Sequence, residues 1–282
     1  MKNIYLLFLP FIFLIISCSS DNENNPVTDD DSQQEKVTFS GYEWYVRSNE
    51  QYQGPGRNIF HSGKKTVWVD ADGKLHLKIR KMNDIWVCSE IYTKESFGYG
   101  RYIFYVESAG LDSLDKNIVL GLFTWDNESF TSMANTELDI EFAKWGYEGE
   151  NNTLQYSVQP TNSGEYPERY HHLSSSILPV NDVSTHLFEW TGSSVYFAGY
   201  KGYITNAANK IDSWIFTSSN PARQKKEDGM TSNAIVVPSP TPDTKVHINL
   251  WLFDNNRDGF GDAPADGKEV EIVIKKFEFI KN

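Results

Sequence analysis

Short segments in which apolar side chains alternate with polar ones recur along most of this chain. The segments are rich in β-branched and aromatic residues and are separated by Gly, Asn, Asp and Pro, which favour turns. In the segment KKFEF, residues 275–279, Phe277 and Phe279 alternate with Lys276 and Glu278. A period of two residues places the apolar side chains of a strand on one face. The pattern therefore predicts β-strands.

The strand pattern extends over most of residues 36–282 and predicts an all-β fold. A dozen or more strands in one domain indicate a sandwich of two large antiparallel sheets. Asp72 and Gly73 are a hairpin signal between two predicted strands. The helical period appears only as a turn or two between Asn206 and Trp214. The polar segments 217–245 and 254–267 are predicted to be long loops at the rim of the sandwich.

The first residues are predicted to be a secretory signal rather than part of the fold. Met1 and Lys2 precede an apolar run, residues 4–16, that is too short to span a bilayer as a helix. The run leads to Ser17 and Cys18, and its end is similar to a bacterial lipoprotein processing site. Processing there would remove residues 1–17 and leave a lipidated Cys18. An ordinary signal peptide that happens to contain a cysteine is the alternative.

Residues 18–35 contain six acidic residues and no aromatic residue, so we expect a disordered acidic tether. Residues 36–282 are then the folded domain. A lipid anchor at Cys18 implies a membrane-anchored, extracytoplasmic protein at the outer membrane, and the acidic tether favours display at the cell surface.

The composition argues against nucleic-acid binding and against a fold held by disulfides or metal. The formal net charge is −12 and no basic stripe is present, so nucleic acid is not an expected partner. Cys88 has no partner once Cys18 is lipidated, which excludes a disulfide scaffold and a thiolate metal cluster. Stability must come from a hydrophobic core, and we expect a monomer that needs no cofactor for its chemistry.

The segment NTELDIEFAKWG, residues 135–146, carries carboxylates at alternate positions: Glu137, Asp139 and Glu141. On a strand these side chains point to one face, and the apolar residues between them point into the core. An acidic, solvated sheet face is the alternative. Against it, adjacent like charges destabilise a sheet and acidic residues are poor strand formers.

A pair of carboxylates suits glycoside hydrolysis with retention, in which one attacks the sugar and the other donates a proton. The two groups must lie about 5–5.5 Å apart. Positions four apart on a flat strand are separated by about 13 Å. The sheet is therefore predicted to be concave and to tip Glu137 and Glu141 toward each other over Asp139. The Asp139 charge would also keep a neighbouring carboxyl protonated near neutral pH.

The stretch ELDIE, residues 137–141, resembles the E-x-D-x-E signature of glycoside hydrolase family 16, in the concanavalin A-like lectin/glucanase superfamily. This form, without an extra bulge residue, is typical of the lichenase and xyloglucan-transglycosylase branches. The resemblance implies a β-jelly-roll sandwich of two curved antiparallel sheets with a concave substrate cleft. It also implies that Glu137 is the nucleophile, Glu141 the acid/base and Asp139 the residue that tunes the pair.

Other segments between residues 64 and 280 resemble the family in the same order. Residues 89–108 are similar to a strand that places Glu90 in the sugar cleft, and residues 117–129 imply a stacking position for Trp125. Residues 186–202 are similar to a family hairpin. The segment HINLWLF, residues 247–253, is similar to a late strand whose Asn249 and Trp251 face the cleft.

Aromatic residues make up 14% of the chain, and sugar rings stack on aromatic faces. We expect Trp125, Trp145 and Trp251 to line the cleft, with a place in the core as the alternative for each. Gln159 is predicted to donate a hydrogen bond to a sugar hydroxyl.

The chain departs from the family pattern at several positions. Tyr92 stands where many glucanases have Arg, and Asn135 and Thr136 stand where Trp or Asp is usual. Ser157 and Gln159 replace the Asn and Tyr of a lichenase. The carboxylates match the family pattern while the residues around them differ, so the resemblance does not specify the substrate.

The segment DNNRDG, residues 254–259, has Asp254, Asn256 and Asp258 at the first, third and fifth positions of a calcium loop. Ala265 stands where an EF-hand has Glu. A structural calcium ion completed by ligands from elsewhere is one interpretation, and a polar turn is the other.

The residues and the resemblance together predict a retaining endo-glycosidase that acts on a polysaccharide partner. The resemblance to the lichenase branch implies a β-1,3-1,4- or β-1,3-glucan as the substrate. Transglycosylation is a variant in which a sugar hydroxyl replaces water. A carbohydrate-binding protein that keeps the cleft without cleaving, and an adhesin or structural domain, are the alternatives. A binder has no need of a strained acidic cluster, so Glu137, Asp139 and Glu141 count against both.

Overall fold

The computed structural model describes residues 34–111, 113–129, 135–149, 153–161, 169–173, 178, 182–203, 205–219, 223–225, 231–234 and 237–282. The predicted signal, Cys18 and the predicted tether up to residue 33 lie outside the described residues. No helix within the described ranges is long and apolar enough to cross a membrane.

The regular secondary structure of the described part of the chain is almost entirely strand, as the alternating pattern predicts. Their bounds are β1 Lys36–Phe39, β2 Tyr42–Val46, β3 Ile59–Phe60, β4 Val67–Val69, β5 Leu75–Met82, β6 Ile85–Thr93, β7 Gly100–Glu107, β8 Ile118–Trp125, β9 Leu138–Ala143, β10 Leu154–Val158, β11 Tyr170–Leu173, β12 Val183–Trp190, β13 Ser194–Lys201, β14 Lys210–Thr217, β15 Arg223–Lys225, β16 Thr231–Ala234, β17 Lys245–Leu252 and β18 Val270–Lys281.

The strands form two curved antiparallel layers, which confirms the predicted β-jelly-roll sandwich. The front sheet has the order β11-β10-β9-β8-β17-β6, and β2 and β1 extend it beyond β6. The back sheet has the order β4-β5-β18-β7-β12-β13-β14. Hydrogen bonds between β5 and β6 join the two layers at one edge. β9, which carries the carboxylates, is flanked on both sides within the front sheet.

A single large apolar cluster fills the space between the sheets. From β9 it contains Leu138, Ile140 and Phe142, all with no exposed surface. The back sheet contributes aromatic side chains such as Phe104 and Phe188. Because side chains alternate along a strand, burying the apolar residues of β9 turns its carboxylates to the outer face of the front sheet.

Two segments differ in detail from the sequence prediction. Where one or two helical turns are predicted between Asn206 and Trp214, the structure has a single 3₁₀ turn, Ala207–Asn209. Trp214 lies in β14. The segment predicted as one long loop, residues 217–245, contains the hairpin of β15 and β16. The short polar strands of this hairpin lack apolar alternation, so the pattern gave no signal for them. The Asp72–Gly73 turn between β4 and β5 and the loop at 254–267 are confirmed.

Candidate active site

The outer face of the front sheet carries two rows of side chains that run across the strands at the level of the carboxylates. Strand register sets the members of each row. The first row, from β10 to β6, is Gln155, Glu141, Gly121, Asn249 and Glu90. The second row is Ser157, Asp139, Phe123, His247 and Tyr92.

Asp139 is at the centre of the carboxylate cluster and is 3% exposed. Its Oδ2 accepts hydrogen bonds from Ser157 Oγ at 2.7 Å and from Gln159 Nε2 at 2.9 Å. Gln159 Oε1 in turn accepts a hydrogen bond from the backbone N–H of Thr161. One N–H of the Gln159 amide is thus used by Asp139, and an amide nitrogen carries two donors. The donation of the other N–H to a sugar hydroxyl stays a prediction.

Glu141 faces a hydrogen-bond donor on β10 and a glycine on β8. Gln155 Nε2 on β10 donates a hydrogen bond to Glu141 Oε2. On β8 the opposite residue is Gly121, which has no side chain to cover the carboxylate. A Cβ at Gly121 would lie 2.5 Å from Asn249 Oδ1, so the glycine also leaves room for that amide.

Glu137 precedes β9 and is held by the turn that leads into the strand. Its backbone N–H donates to Asn135 Oδ1 at 2.7 Å. The Asn135 side chain also lowers the pKa of the Glu137 carboxyl group. The backbone of the nucleophile candidate is therefore held by a residue at which the chain departs from the family pattern.

Burial changes the proton affinity of all three carboxyl groups. It raises the pKa of Glu137 well above the ordinary value, and the charges of Asp139 and Glu141 raise it further. Burial raises the pKa of Asp139 to about 6. Burial, followed by the charge of Asp139, raises the pKa of Glu141 to about 8. Hydrogen bonds from Asn135 and from β10 act in the opposite direction. The cluster therefore retains protons near neutral pH, and these protons belong to the cluster as a whole.

Glu90 lies on the floor of the same face, at 3% exposure, and is part of a charged network. Arg47 Nη1 is 2.8 Å from Glu90 Oε2, and His247 Nδ1 is 2.9 Å from Glu90 Oε1. Asn249 Nδ2 is 3.5 Å from Glu90 Oε2. These partners, His247 first and Arg47 next, hold the pKa of Glu90 below its usual value against the opposing effect of burial.

Asn249 is a predicted site residue that the structure buries in this face. It is 2% exposed, and its Oδ1 has no hydrogen-bond partner among the described residues. It lies between Glu90 and Gly121 in the first row. A buried acceptor without a partner costs free energy.

The three predicted tryptophans do not form one surface. Trp145 and Trp251 pack together with ring centroids 6.2 Å apart, beyond the Glu141 end of β9. Trp125 lies at the opposite end of β8, six residues from Val119, the register partner of Trp251. That spacing corresponds to about 20 Å along a strand. Trp125 and the Trp145–Trp251 pair therefore flank the rows from opposite ends.

Asp254 and Asp258 of the calcium-like segment direct side-chain oxygens at backbone N–H groups of their own loop. Asp254 Oδ2 accepts from Gly259 N, and Asp258 Oδ1 accepts from Phe260 N. Asn256 donates to Asp258 and Asp262. In the described part of the chain no group of three or more His, Cys, Asp or Glu residues is arranged to hold a metal ion. Asp254 Oδ1 is buried and has no hydrogen-bond partner among the described residues. The polar turn and the calcium site therefore both stay predictions.

Another depression, of about 410 Å³, is lined by residues that include Leu114, Lys116, Lys144, Asp266 and Ile272. It contains none of the carboxylates of β9 and none of the predicted sugar-binding residues. The outer face of the front sheet is therefore the candidate active site.

Sequence reasoning missed several residues of this face. Gln155 and His247 lie two positions from Ser157 and Asn249, so the period of two residues could have found them. Arg47 and Gly121 carry no local signal, because only strand pairing brings them to Glu90 and Glu141.

Comparison with solved structures identifies the fold. No protein-family model and no curated protein matches the sequence. Among solved structures, the chain is similar to the β-glucanase of Bacillus licheniformis, with 15% identity, a TM-score of 0.55, and coverage of 88% of this chain and 98% of that one.

Two further solved structures are similar to a comparable degree. One is a glycoside hydrolase family 16 endo-glucanase from Bacteroides ovatus in complex with G4G3G-2F-DNP, at 14% identity and a TM-score of 0.53, covering 84% of this chain and 94% of that one. The other is a pseudo β-1,3-glucanase and immunostimulatory antigen of Mycobacterium tuberculosis, at 13% identity and a TM-score of 0.55, covering 85% and 91%. The chain thus has the jelly-roll fold of these proteins, as its resemblance to family 16 implies.

Proposed function

We propose that this protein is a retaining endo-glycosidase that cleaves internal bonds of a β-linked polysaccharide, with a β-1,3-1,4- or β-1,3-glucan as substrate. One observation carries the proposal: Glu137, Asp139 and Glu141 share the outer face of a curved sheet, where burial makes the cluster retain protons near neutral pH. Such a cluster supplies both a proton donor and an ionised carboxylate, the two groups that retention requires.

The proposed reaction has two steps. Glu141, protonated, donates its proton to the departing glycosidic oxygen while the ionised Glu137 attacks the anomeric carbon and forms a glycosyl-enzyme. Glu141 then removes a proton from water, which attacks the same carbon and releases Glu137. Asp139 favours the protonated state of Glu141 before the first step through its charge. Two inversions at one carbon leave its configuration unchanged.

The surroundings support a polysaccharide rather than a small glycoside. The two rows of side chains cross the sheet from β10 to β6. The absence of a side chain at Gly121 leaves room for the Asn249 amide in the first row. Polar groups distributed along an extended face suit several sugar rings at once.

The test is hydrolysis of a panel of β-glucans and β-galactans by residues 34–282, alongside Glu137→Ala and Glu141→Ala. Both variants should lose activity on polysaccharide. With an aryl glycoside that needs no proton donor, Glu141→Ala should still form the glycosyl-enzyme, and azide should release a β-glycosyl azide. Azide with Glu137→Ala should give the α-glycosyl azide instead, because azide then takes the place of the missing carboxylate.

Product analysis of the wild-type protein separates hydrolysis from transglycosylation. New reducing ends without longer products indicate water as the acceptor, and products longer than the substrate indicate a sugar hydroxyl. Azide products with the opposite anomeric assignments would reverse the roles of Glu137 and Glu141.

A carbohydrate-binding protein without hydrolytic activity is the second candidate function. The observation that favours it is the raised pKa of Glu137, since a carboxyl group that stays protonated cannot act as a nucleophile. A solved structure with this fold is described as a pseudo β-1,3-glucanase. Retardation of wild type and both variants in the same polysaccharide gel, with no cleavage of any substrate, would support this candidate.

We also propose that a lipid on Cys18 anchors the protein at the outer membrane, on the strength of the apolar run that ends at this cysteine. Labelling of cells with a fatty-acid analogue should mark the wild-type protein and not Cys18→Ser. Release of Cys18→Ser into the soluble extracytoplasmic fraction should accompany the loss of label. Recovery of both proteins as soluble, unlabelled chains would indicate an ordinary signal peptide.

A further inference from the structure

His247 stands on the outer face of the front sheet between two aromatic rings. Its register partners are Tyr92 on β6 and Phe123 on β8. The Tyr92 ring is stacked on the imidazole, with centroids 5.2 Å apart and planes at 15°, and the Phe123 centroid lies 5.0 Å away. Because β6 and β8 flank β17 on opposite sides, one ring covers each face of the imidazole. Only the edges of the imidazole are left for polar contacts.

Glu90 occupies one of these edges. His247 Nδ1 is 2.9 Å from Glu90 Oε1, and Arg47 Nη1 is 2.8 Å from Glu90 Oε2. Burial raises the pKa of Glu90, but the His247 hydrogen bond and the Arg47 charge outweigh it and hold this pKa below its usual value. An ionised carboxylate only accepts hydrogen bonds, so Nδ1 carries a hydrogen and donates it. Glu90 therefore fixes both the rotation and the tautomer of the imidazole.

The other nitrogen of the ring, Nε2, lies at the end of the side chain that is farthest from the backbone. The His247 side chain is 11% exposed. Its faces are covered by Tyr92 and Phe123 and its Nδ1 edge by Glu90, so this exposure belongs to the far end of the ring. No described residue forms a hydrogen bond with Nε2, since the hydrogen bond of this ring is made by Nδ1. Nε2 is thus the polar group that His247 presents to the outer face.

His247 lies close to the carboxylates across the sheet. Phe123 is the register partner of His247 on one side and of Asp139 on the other. His247 and Asp139 are therefore two strands apart, which corresponds to about 10 Å. A polysaccharide that places one ring at the carboxylates of β9 and continues across the strands toward β6 passes over His247.

We propose that His247 is a substrate-binding residue whose Nε2 forms a hydrogen bond with a hydroxyl group of the sugar chain. The proposal rests on the proposed function and adds to it a contact two strands away from the carboxylates. A hydroxyl group both donates and accepts, so the bond forms whether or not Nε2 carries a hydrogen. Tyr92, a position at which the chain departs from the family pattern, supplies one of the rings that hold the imidazole in place.

Two substitutions separate the two nitrogens of His247. His247→Asn places an amide where Nδ1 lies, so it keeps a donor to Glu90 and removes the group at Nε2. His247→Gln places an amide where Nε2 lies and gives up the bond to Glu90. His76→Asn on the back sheet is the matched control. The His76 ring is also stacked, on Trp68 with centroids 4.7 Å apart, and its Nδ1 is 2.9 Å from Glu271 Oε1.

Binding is measured by calorimetry with oligosaccharides of a β-1,3-glucan and of a β-1,3-1,4-glucan, in a Glu137→Gln background that leaves the ligand intact. His247→Asn should raise Kd by about three- to tenfold, the effect of one hydrogen bond. His247→Gln should raise Kd less, and His76→Asn should leave it unchanged. Without Glu137→Gln, His247→Asn should raise KM by a similar factor with little change in kcat.

The ¹⁵N resonance of His247 Nε2 is the second readout, and it is assigned by its absence in His247→Asn. The better-binding oligosaccharide should move this resonance. A resonance that stays in place when the oligosaccharide binds overturns the proposal. A Kd for His247→Gln equal to or above that for His247→Asn also overturns it, because the loss would then follow the Glu90 contact. Wild-type protein that cleaves neither glucan, with an Nε2 resonance that moves on binding, would reject the proposed hydrolysis and support the His247 contact.

Discussion

Ser157 Oγ donates a hydrogen bond of 2.7 Å to the buried carboxylate of Asp139. Together with Gln159 Nε2 at 2.9 Å, it ties the centre of the carboxylate cluster to the neighbouring strand β10. These two donors lower the pKa of Asp139 against the burial that raises it to about 6. The charge of Asp139 in turn raises the pKa of Glu137 and of Glu141.

Asp139→Asn should shift the alkaline limb of the activity profile to lower pH. Glu141 must be protonated to donate, and after burial the Asp139 charge is the next cause that raises its pKa to about 8. Removing that charge lowers the pKa of Glu141, so the proton is lost at lower pH. The measurement is kcat/KM between pH 4 and pH 10. Ser157→Ala is the control: it keeps the Asp139 charge and should shift the alkaline limb less. A shift of the alkaline limb to higher pH in Asp139→Asn would contradict the effect of the Asp139 charge on Glu141.

Glu141→Gln should be more stable than the wild type, and the difference should grow as pH rises. The pKa of Glu141 is raised in the folded state to about 8. Below its unfolded pKa of about 4.3 the group is protonated in both states, and above it the unfolded state ionises first. Between these two pKa values the wild type therefore loses stability as pH rises, by up to about 1.4 kcal/mol for each pH unit.

Urea unfolding at pH 4.5 and pH 8 measures this difference. Glu148→Gln, at an exposed carboxylate paired with Lys116, is the matched control and should show no such trend. A constant difference between Glu141→Gln and the wild type at the two pH values would argue that Glu141 is as hydrated as a surface residue.

Gly121→Ala should reduce activity more than stability. A Cβ at this position would lie 2.5 Å from Asn249 Oδ1, so the amide must move away from the first row. Displacement of a substrate-positioning group by about 1 Å costs on the order of 10²-fold in rate. Gly149→Ala, where a Cβ meets nothing within 4 Å, is the control. Steady-state kinetics and thermal unfolding of both variants test the prediction, which wild-type kcat/KM in Gly121→Ala would refute.

Glu90→Gln should destabilise the fold by about 3 kcal/mol, because it leaves the Arg47 charge without its partner. Glu90 is buried and lies 2.8 Å from Arg47 Nη1. Glu189→Gln, which breaks the Arg101–Glu189 pair on the surface, should cost less than about 1 kcal/mol. Denaturant unfolding gives both values, and equal effects would mean that water solvates Arg47 in the folded state.

The face of the carboxylates followed from the sequence alone. Glu137, Asp139 and Glu141 alternate with apolar residues, and a strand can bury only one of its two faces here without exposing Leu138, Ile140 and Phe142. The same reasoning gave the fold class. It failed for β15 and β16, whose residues do not alternate, and it placed Trp214 in a helical turn rather than in β14.

The partners of each site residue depended on strand pairing. Period-two alternation is a property of a single strand, so it specifies which way Glu141 and Glu90 point. It does not specify which strands lie beside them. Gly121 and Arg47 reach these residues because β8 pairs with β9, and because β2 pairs with β6 and leads directly into Arg47. Contacts between segments distant in sequence are decided by register and packing in the folded chain, and these contacts set the proton affinities of the site.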